Sequence, residues 1–255
     1  MRVTGFVQAS LVLGVVGLVA ACGGNPEPAE GQPPTGQAPP SAEVIKHMHD
    51  HLAQVQQIQH AVIRGDLEGA SNAARTFADH QELTGLPEKV RGTIEDMRKA
   101  AQEVSGATTL EVASSATGRM VAQCGSCHSA MGAKPALPAP AAAQGQPANA
   151  IETKMLDHQH AVDMLYAGLV APSDEMWRKG AEALKASPLK ADAFPADAQL
   201  SKEALDAQLH THEVAEKAAS ASTAPARAGI YGSLIGGCAS CHALSGRVLG
   251  QGVPK

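Results

Sequence analysis

Two five-residue runs hold the side chains with the most distinctive chemistry in this chain: Cys-Gly-Ser-Cys-His at 124–128 and Cys-Ala-Ser-Cys-His at 238–242. A Cys-x-x-Cys-His pentapeptide is the pattern to which a c-type haem is attached. On a helix, the first cysteine, the second at i+3 and the histidine at i+4 share one face. Two thioether bonds and one iron ligand can then reach the same flat haem ring. The two motifs therefore predict two haem-attachment sites.

A single pentapeptide of this kind also arises by chance, in a thioredoxin-like dithiol or as half of a zinc site. Two copies in one exported chain disfavour those interpretations. Two Cys-x-x-Cys pairs can build one four-cysteine zinc site, but such a site does not require the histidine after each pair. Zinc binding therefore stays a minor alternative.

The fifth cysteine, Cys22, follows an N-terminal segment typical of exported proteins. Residues 1–21 contain Arg2, an apolar run and small residues before Cys22, and we predict that they are a cleaved signal peptide. The run is shorter than the ~20 residues that a membrane-spanning helix needs. The tetrapeptide at 19–22 resembles the lipobox of bacterial lipoproteins, which predicts a lipidated Cys22. We therefore expect a protein of the bacterial periplasm or cell envelope, anchored to a membrane by lipid.

Composition favours a helical protein. Aromatic residues are only 2% of the 255, so a core must be built from alanine, leucine, valine, isoleucine and methionine, which suits a helix bundle. A flat apolar cofactor would add core volume that such a sequence lacks. The net charge is -5 without a basic block, which disfavours nucleic acid as a partner.

The chain divides into two similar segments, each of which ends in one of the motifs. Proline-rich and glycine-rich stretches mark the divisions. We predict a tether at 22–43, a first haem domain at 44–131, a linker at 132–150, a second haem domain at 151–246 and a tail at 247–255. This arrangement is typical of a tandem duplication.

The duplication can be tested by aligning the two segments. Met48 and His51 match Met155 and His158 at an offset of 107, whereas the two motifs are 114 residues apart. The second copy must therefore contain seven extra residues, which we place around 187–197, where two prolines interrupt the helical pattern.

Apolar spacing of three and four residues predicts four helices in each copy. Asp66, Ser173 and Ser201 are predicted N-caps, and Pro87 is predicted at the first position of a helix. We expect an all-α protein of two tandem four-helix bundles, each with its motif on the last helix. The predicted helices span 42–63, 67–80, 88–104, 110–128, 151–169, 174–186, 202–219 and 225–242.

With the motif near the C-terminal end of a four-helix unit, the chain resembles the class II c-type cytochromes, the cytochrome c prime group. The resemblance covers both repeats, about two thirds of the chain. It implies that the chain is a divergent, tandem-duplicated dihaem lipoprotein. It implies two covalently bound haem c groups. One would be attached through Cys124 and Cys127 with His128 as the proximal iron ligand, the other through Cys238 and Cys241 with His242.

The same resemblance raises the question of the sixth iron ligand. In the family, the opening helix places a methionine or an apolar side chain on the far side of the haem. Here the repeat alignment offers His51 and His158, each three residues after an equivalent methionine, Met48 or Met155. We predict the histidines as distal ligands, oriented by the aspartate that precedes each. The methionines and an open position remain alternatives.

These features predict a membrane-tethered electron carrier that serves redox partner proteins and is not an enzyme. A haem module that binds or senses small gases such as NO or CO is the alternative, and it is favoured if the iron is five-coordinate. A peroxidase is disfavoured because the compact repeats show no separate substrate site.

Overall fold

The computed structural model describes residues 41–79, 86–137, 140, 147, 149–188 and 201–245. These residues form eight α-helices and no strand, which confirms the all-α class. The helices are α1 (Ala42–Ile63), α2 (Leu67–Ala78), α3 (Glu88–Ser105), α4 (Leu110–Met131), α5 (Ala150–Val170), α6 (Asp174–Ala186), α7 (Lys202–Ala218) and α8 (Ala224–Ser245).

Helix starts are determined by local side chains. The predicted caps Asp66, Ser173 and Ser201 are confirmed, because each side chain accepts a hydrogen bond from a backbone N–H in the first turn. A cap of this kind stabilises a helix by about 1 kcal/mol. Pro87 precedes α3 instead of occupying its first position. Further caps of the same type are Ser41, Thr109 and Asn149.

The helices reproduce the two offsets of the repeat alignment. Helix α6 begins 107 residues after α2, and α7 begins 114 residues after α3. The extra residues of the second copy therefore lie between the start of α6 and the start of α7. Most of that connection, 189–200, is outside the described residues.

The two motif-bearing helices, α4 and α8, pack closely against each other. Gly118 and Gly232 occupy equivalent positions in them. A Cβ on Gly118 would overlap the carbonyl oxygen of Ala228, and a Cβ on Gly232 would lie 2.9 Å from the carbonyl oxygen of Ser114. Because Ser114 and Ala228 are also equivalent, the helices cross in a nearly two-fold symmetric way.

The described residues from Ser41 to Ser245 form one compact unit, and its core takes large side chains from both repeats. Buried Ile58 and Met120 come from the first repeat, and buried Leu165, Trp177 and Leu234 from the second. The predicted separation into two bundles is therefore not confirmed. Glycines at the crossing let the backbones of α4 and α8 approach, which joins the repeats through a shared centre.

Two tyrosines lie in this centre. The rings of Tyr166 and Tyr231 are 6.4 Å apart, and neither buried hydroxyl has a hydrogen-bond partner within the described part of the chain. Burial raises the pKa of both phenols well above the usual value.

Tyr231→Phe is expected to raise the free energy of unfolding by about 1 kcal/mol, because a buried polar group without a partner costs roughly 1–3 kcal/mol. Urea unfolding measures this change. Thr117→Val is the matched control at the equivalent position of α4: it removes a buried hydroxyl that donates to the Ala113 carbonyl at 2.8 Å, and we expect it to lower stability. A loss of stability in Tyr231→Phe would contradict the assignment of an unsatisfied hydroxyl.

No helix in the described ranges is both long enough and apolar enough to cross a membrane. The predicted signal peptide at 1–21, the lipidated Cys22 and the tail at 247–255 lie outside those ranges, as do most of the tether at 22–43 and parts of the linker at 132–150. These predictions stay as they were made.

Candidate functional site

Both motifs lie in the last turns of helices, one in α4 and the other in α8. Cys124, Cys127 and His128 are near the end of α4, and the equivalent residues of the second motif are near the end of α8. All four cysteines are half-buried free thiols. Each motif therefore presents two sulfur atoms and one imidazole from consecutive turns of a helix.

The thiols are held in their protonated form. Burial raises the pKa of Cys124 and of Cys238 to about 12, and the second cysteine of each pair adds to the effect. Burial also raises the pKa of Cys127 and Cys241. A thioredoxin-like dithiol instead needs a thiol with a lowered pKa. The surroundings of these pairs therefore disfavour dithiol exchange.

The motif histidines make the same contact in both repeats. The Nδ1–H of His128 donates to the carbonyl oxygen of Val170 at 2.7 Å, and the Nδ1–H of His242 donates to that of Ile63 at 2.6 Å. Because a carbonyl oxygen can only accept, Nδ1 carries a proton, and in the neutral ring Nε2 keeps its lone pair. A metal-binding histidine usually has this arrangement. Burial lowers the pKa of His242, which favours the neutral form that binds metals.

A cavity lies beside the second motif, between α5, α7, α8 and the end of α1. Its volume, measured with a water-sized probe, is about 60 Å³. The structure brings together there five of the residues predicted for the second site, which are Met155, His158, Cys238, Cys241 and His242. Apolar side chains, including Val162 and Ile63, complete its lining. The chemistry of this wall fits a flat, mainly apolar group attached through sulfur.

His158 is buried and has a defined tautomer. Its Nε2–H donates to the carbonyl oxygen of Ser187 at 2.6 Å, so Nδ1 keeps the lone pair. The hydroxyl of Ser187 donates to Asp157 at 3.2 Å. Asp157, predicted to orient the imidazole directly, therefore acts through Ser187. Burial lowers the pKa of His158, and the ring of His212 stands edge-on to it at 5.7 Å.

In the first repeat, the structure places His51 between α1 and α2. Its ring lies 5.1 Å from the ring of Phe77, which is buried on α2, and 4.1 Å from the ring of His47, one turn earlier on α1. Met48 is on the same face of α1 as His51 because the two are three residues apart. The predicted pair is thus on one face of the opening helix.

Sequence reasoning missed the backbone groups of the sites. It considered side chains, whereas the partners of the motif histidines are the carbonyls of Ile63 and Val170. These residues are equivalent at the offset of 107, and each is the last residue of an opening helix. A helix leaves its final carbonyls without an internal partner, and that rule was the only available signal.

A shared metal ion has less support. Across the described ranges, no group of three or more histidine, cysteine, aspartate or glutamate side chains is placed to hold one. A four-cysteine zinc site would need both pairs at one ion.

Comparisons of the chain with protein-family models, curated proteins and solved structures find no match.

Proposed function

We propose that this protein is a dihaem c-type cytochrome that works as a membrane-tethered electron carrier. The main support is the pair of equivalent hydrogen bonds at the motif histidines. In each motif Nδ1–H is bound to a carbonyl, and Nε2 is left with a lone pair beside two thiols. The resemblance of the repeats to class II c-type cytochromes supports the same proposal.

Each motif has a defined task in this proposal. Cys124 and Cys127 form thioether bonds to one haem, and the second pair holds the other. His128 and His242 bind iron through Nε2. Haem, when bound, supplies reversible one-electron chemistry. The buried apolar residues around the motifs limit the access of water to the iron. Water is then kept from replacing the iron ligands.

The tether has a separate task. Lipid on Cys22 would hold the chain at a membrane, and an extended tether at 22–43, at about 3 Å per residue, would let the helical unit reach a redox partner several nanometres from the lipid surface. The segment at 1–21 would export the chain to the periplasm or cell envelope.

We propose His51 and His158 as the distal ligands, with His158 binding iron through Nδ1 because its Nε2–H donates to the Ser187 carbonyl. We expect His51→Ala and His158→Ala each to convert one haem from six- to five-coordinate with little loss of attached haem. The absorption spectrum of the reduced protein and its titration with carbon monoxide measure the change. Met155→Leu, in the same cavity as His158, is the matched control and should leave the spectrum unchanged. If only the methionine variant changes it, the ligand is the thioether.

Intact mass spectrometry tests the proposal as a whole. Protein made in a host that attaches c-type haem should weigh the polypeptide plus two haems, and its spectrum should show reversible reduction. A mass that equals the polypeptide and its acyl chains would contradict the proposal. Prompt binding of carbon monoxide at both haems of the reduced protein would favour the gas-binding module over the electron carrier.

A further inference from the structure

We propose that the two haem sites are crossed between the repeats: the C-terminal end of α1 positions His242, and the C-terminal end of α5 positions His128. This inference rests on the proposed function. It adds that neither repeat has a complete site of its own, since the partner of each iron-binding histidine comes from the other repeat.

The same contact occurs in both repeats. Ile63 and Val170 are the last residues of α1 and α5, and they occupy equivalent positions in the two repeats. Their carbonyls accept from His242 at 2.6 Å and from His128 at 2.7 Å. In both contacts a motif histidine of one repeat donates to the equivalent carbonyl of the other repeat. This repetition indicates that the contacts are a specific feature of the fold.

The contact also has an electrostatic effect on the ligand. The C-terminal end of a helix carries about half a negative charge, because its last carbonyls have no partner within the helix. An imidazole that donates its Nδ1–H to such a carbonyl becomes a more basic ligand at Nε2. A more basic ligand favours oxidised iron and lowers the reduction potential. The helix end of one repeat therefore affects the potential of the haem attached to the other.

Glycines without a Cβ let these helix ends approach the motifs closely. Gly65, with φ +73°, follows the end of α1, and its N–H donates to the Val62 carbonyl at 2.8 Å. A Cβ on Gly65 would lie 3.0 Å from the carbonyl oxygen of Ala239, inside the second motif. At the other site, a Cβ on Gly125 would overlap the carbonyl oxygen of Leu169 at the end of α5. Gly65 and Gly125 are thus positioning residues for the contacts across the repeats.

The test is a change in the first repeat that is read at the haem of the second. Gly65→Ala is made in two full-length backgrounds, one with haem only on the second motif (Cys124→Ala with Cys127→Ala) and one with haem only on the first (Cys238→Ala with Cys241→Ala). Redox titration measures each potential. We expect the reduction potential to rise by about 59 mV only for the second-motif haem. This rise corresponds to about a tenfold change in the redox equilibrium constant. Gly92→Ala, whose Cβ would meet nothing within 4 Å, is the control.

A second variant allows the same measurement if Gly65→Ala folds poorly. Gly65→Asn adds the same Cβ, but asparagine tolerates positive φ better. The NMR signal of the His242 Nδ1–H gives a readout besides the potential, and it should shift in either variant. If haem is attached and Gly65 variants change the first-motif haem, or neither haem, the crossed arrangement is wrong. If intact mass shows no attached haem, the proposed function itself fails.

Discussion

Replacing Cys124 and Cys127 together by alanine is expected to leave a protein that carries one haem instead of two. The proposed thioether bonds of the first site need these two thiols, whereas the thiols of the second site are on α8 and are not changed. Intact mass spectrometry should show the loss of one haem mass, and the haem absorbance per polypeptide should fall by half.

A variant inside the same motif provides the control. Ser126 occupies a spacer position, and its hydroxyl donates to the Ala122 carbonyl of its own helix at 3.0 Å. Ser126→Ala should therefore keep both haems. Retention of both haems in the double cysteine variant would contradict covalent attachment at 124–128. Loss of both would show that attachment at one site depends on the other.

Gly118→Ala is expected to lower the free energy of unfolding by about 1–3 kcal/mol, the usual effect of forcing extra atoms into a packed contact. The added Cβ would overlap the Ala228 carbonyl oxygen and lie 2.8 Å from the backbone nitrogen of Gly232, so α4 and α8 must move apart. Denaturant unfolding followed by circular dichroism measures the change. Because both repeats share one core, we expect one cooperative transition in the wild type.

The matched control is Gly229→Ala, also within a helix. A Cβ there would meet nothing within 4 Å, so this variant should gain up to about 1 kcal/mol from the higher helix propensity of alanine. An equal gain in both variants would contradict the close crossing of α4 and α8. Two separate transitions in the wild type would contradict the shared core.

Much of the local structure was predictable from the chain alone, because it depends on nearby residues. Asp66 and Ser173 cap helices through their own side chains, and apolar spacing located all eight helices to within three residues. His158, which the repeat alignment had singled out, also lines the cavity beside the second motif. The chemistry expected of the motifs also follows from their residue types and spacing.

How the repeats combine depends on contacts between residues that are far apart in the chain. The partner of His242 is the carbonyl of Ile63, 179 residues away in the chain, and backbone carbonyls leave no trace in residue type. The crossing at Gly118 and Gly232 likewise depends on how closely two backbones approach, which apolar periodicity does not report. The sequence thus determined the helices and the predicted ligand set. Packing of whole helices determined which repeat supplies the hydrogen-bond partner of each motif histidine.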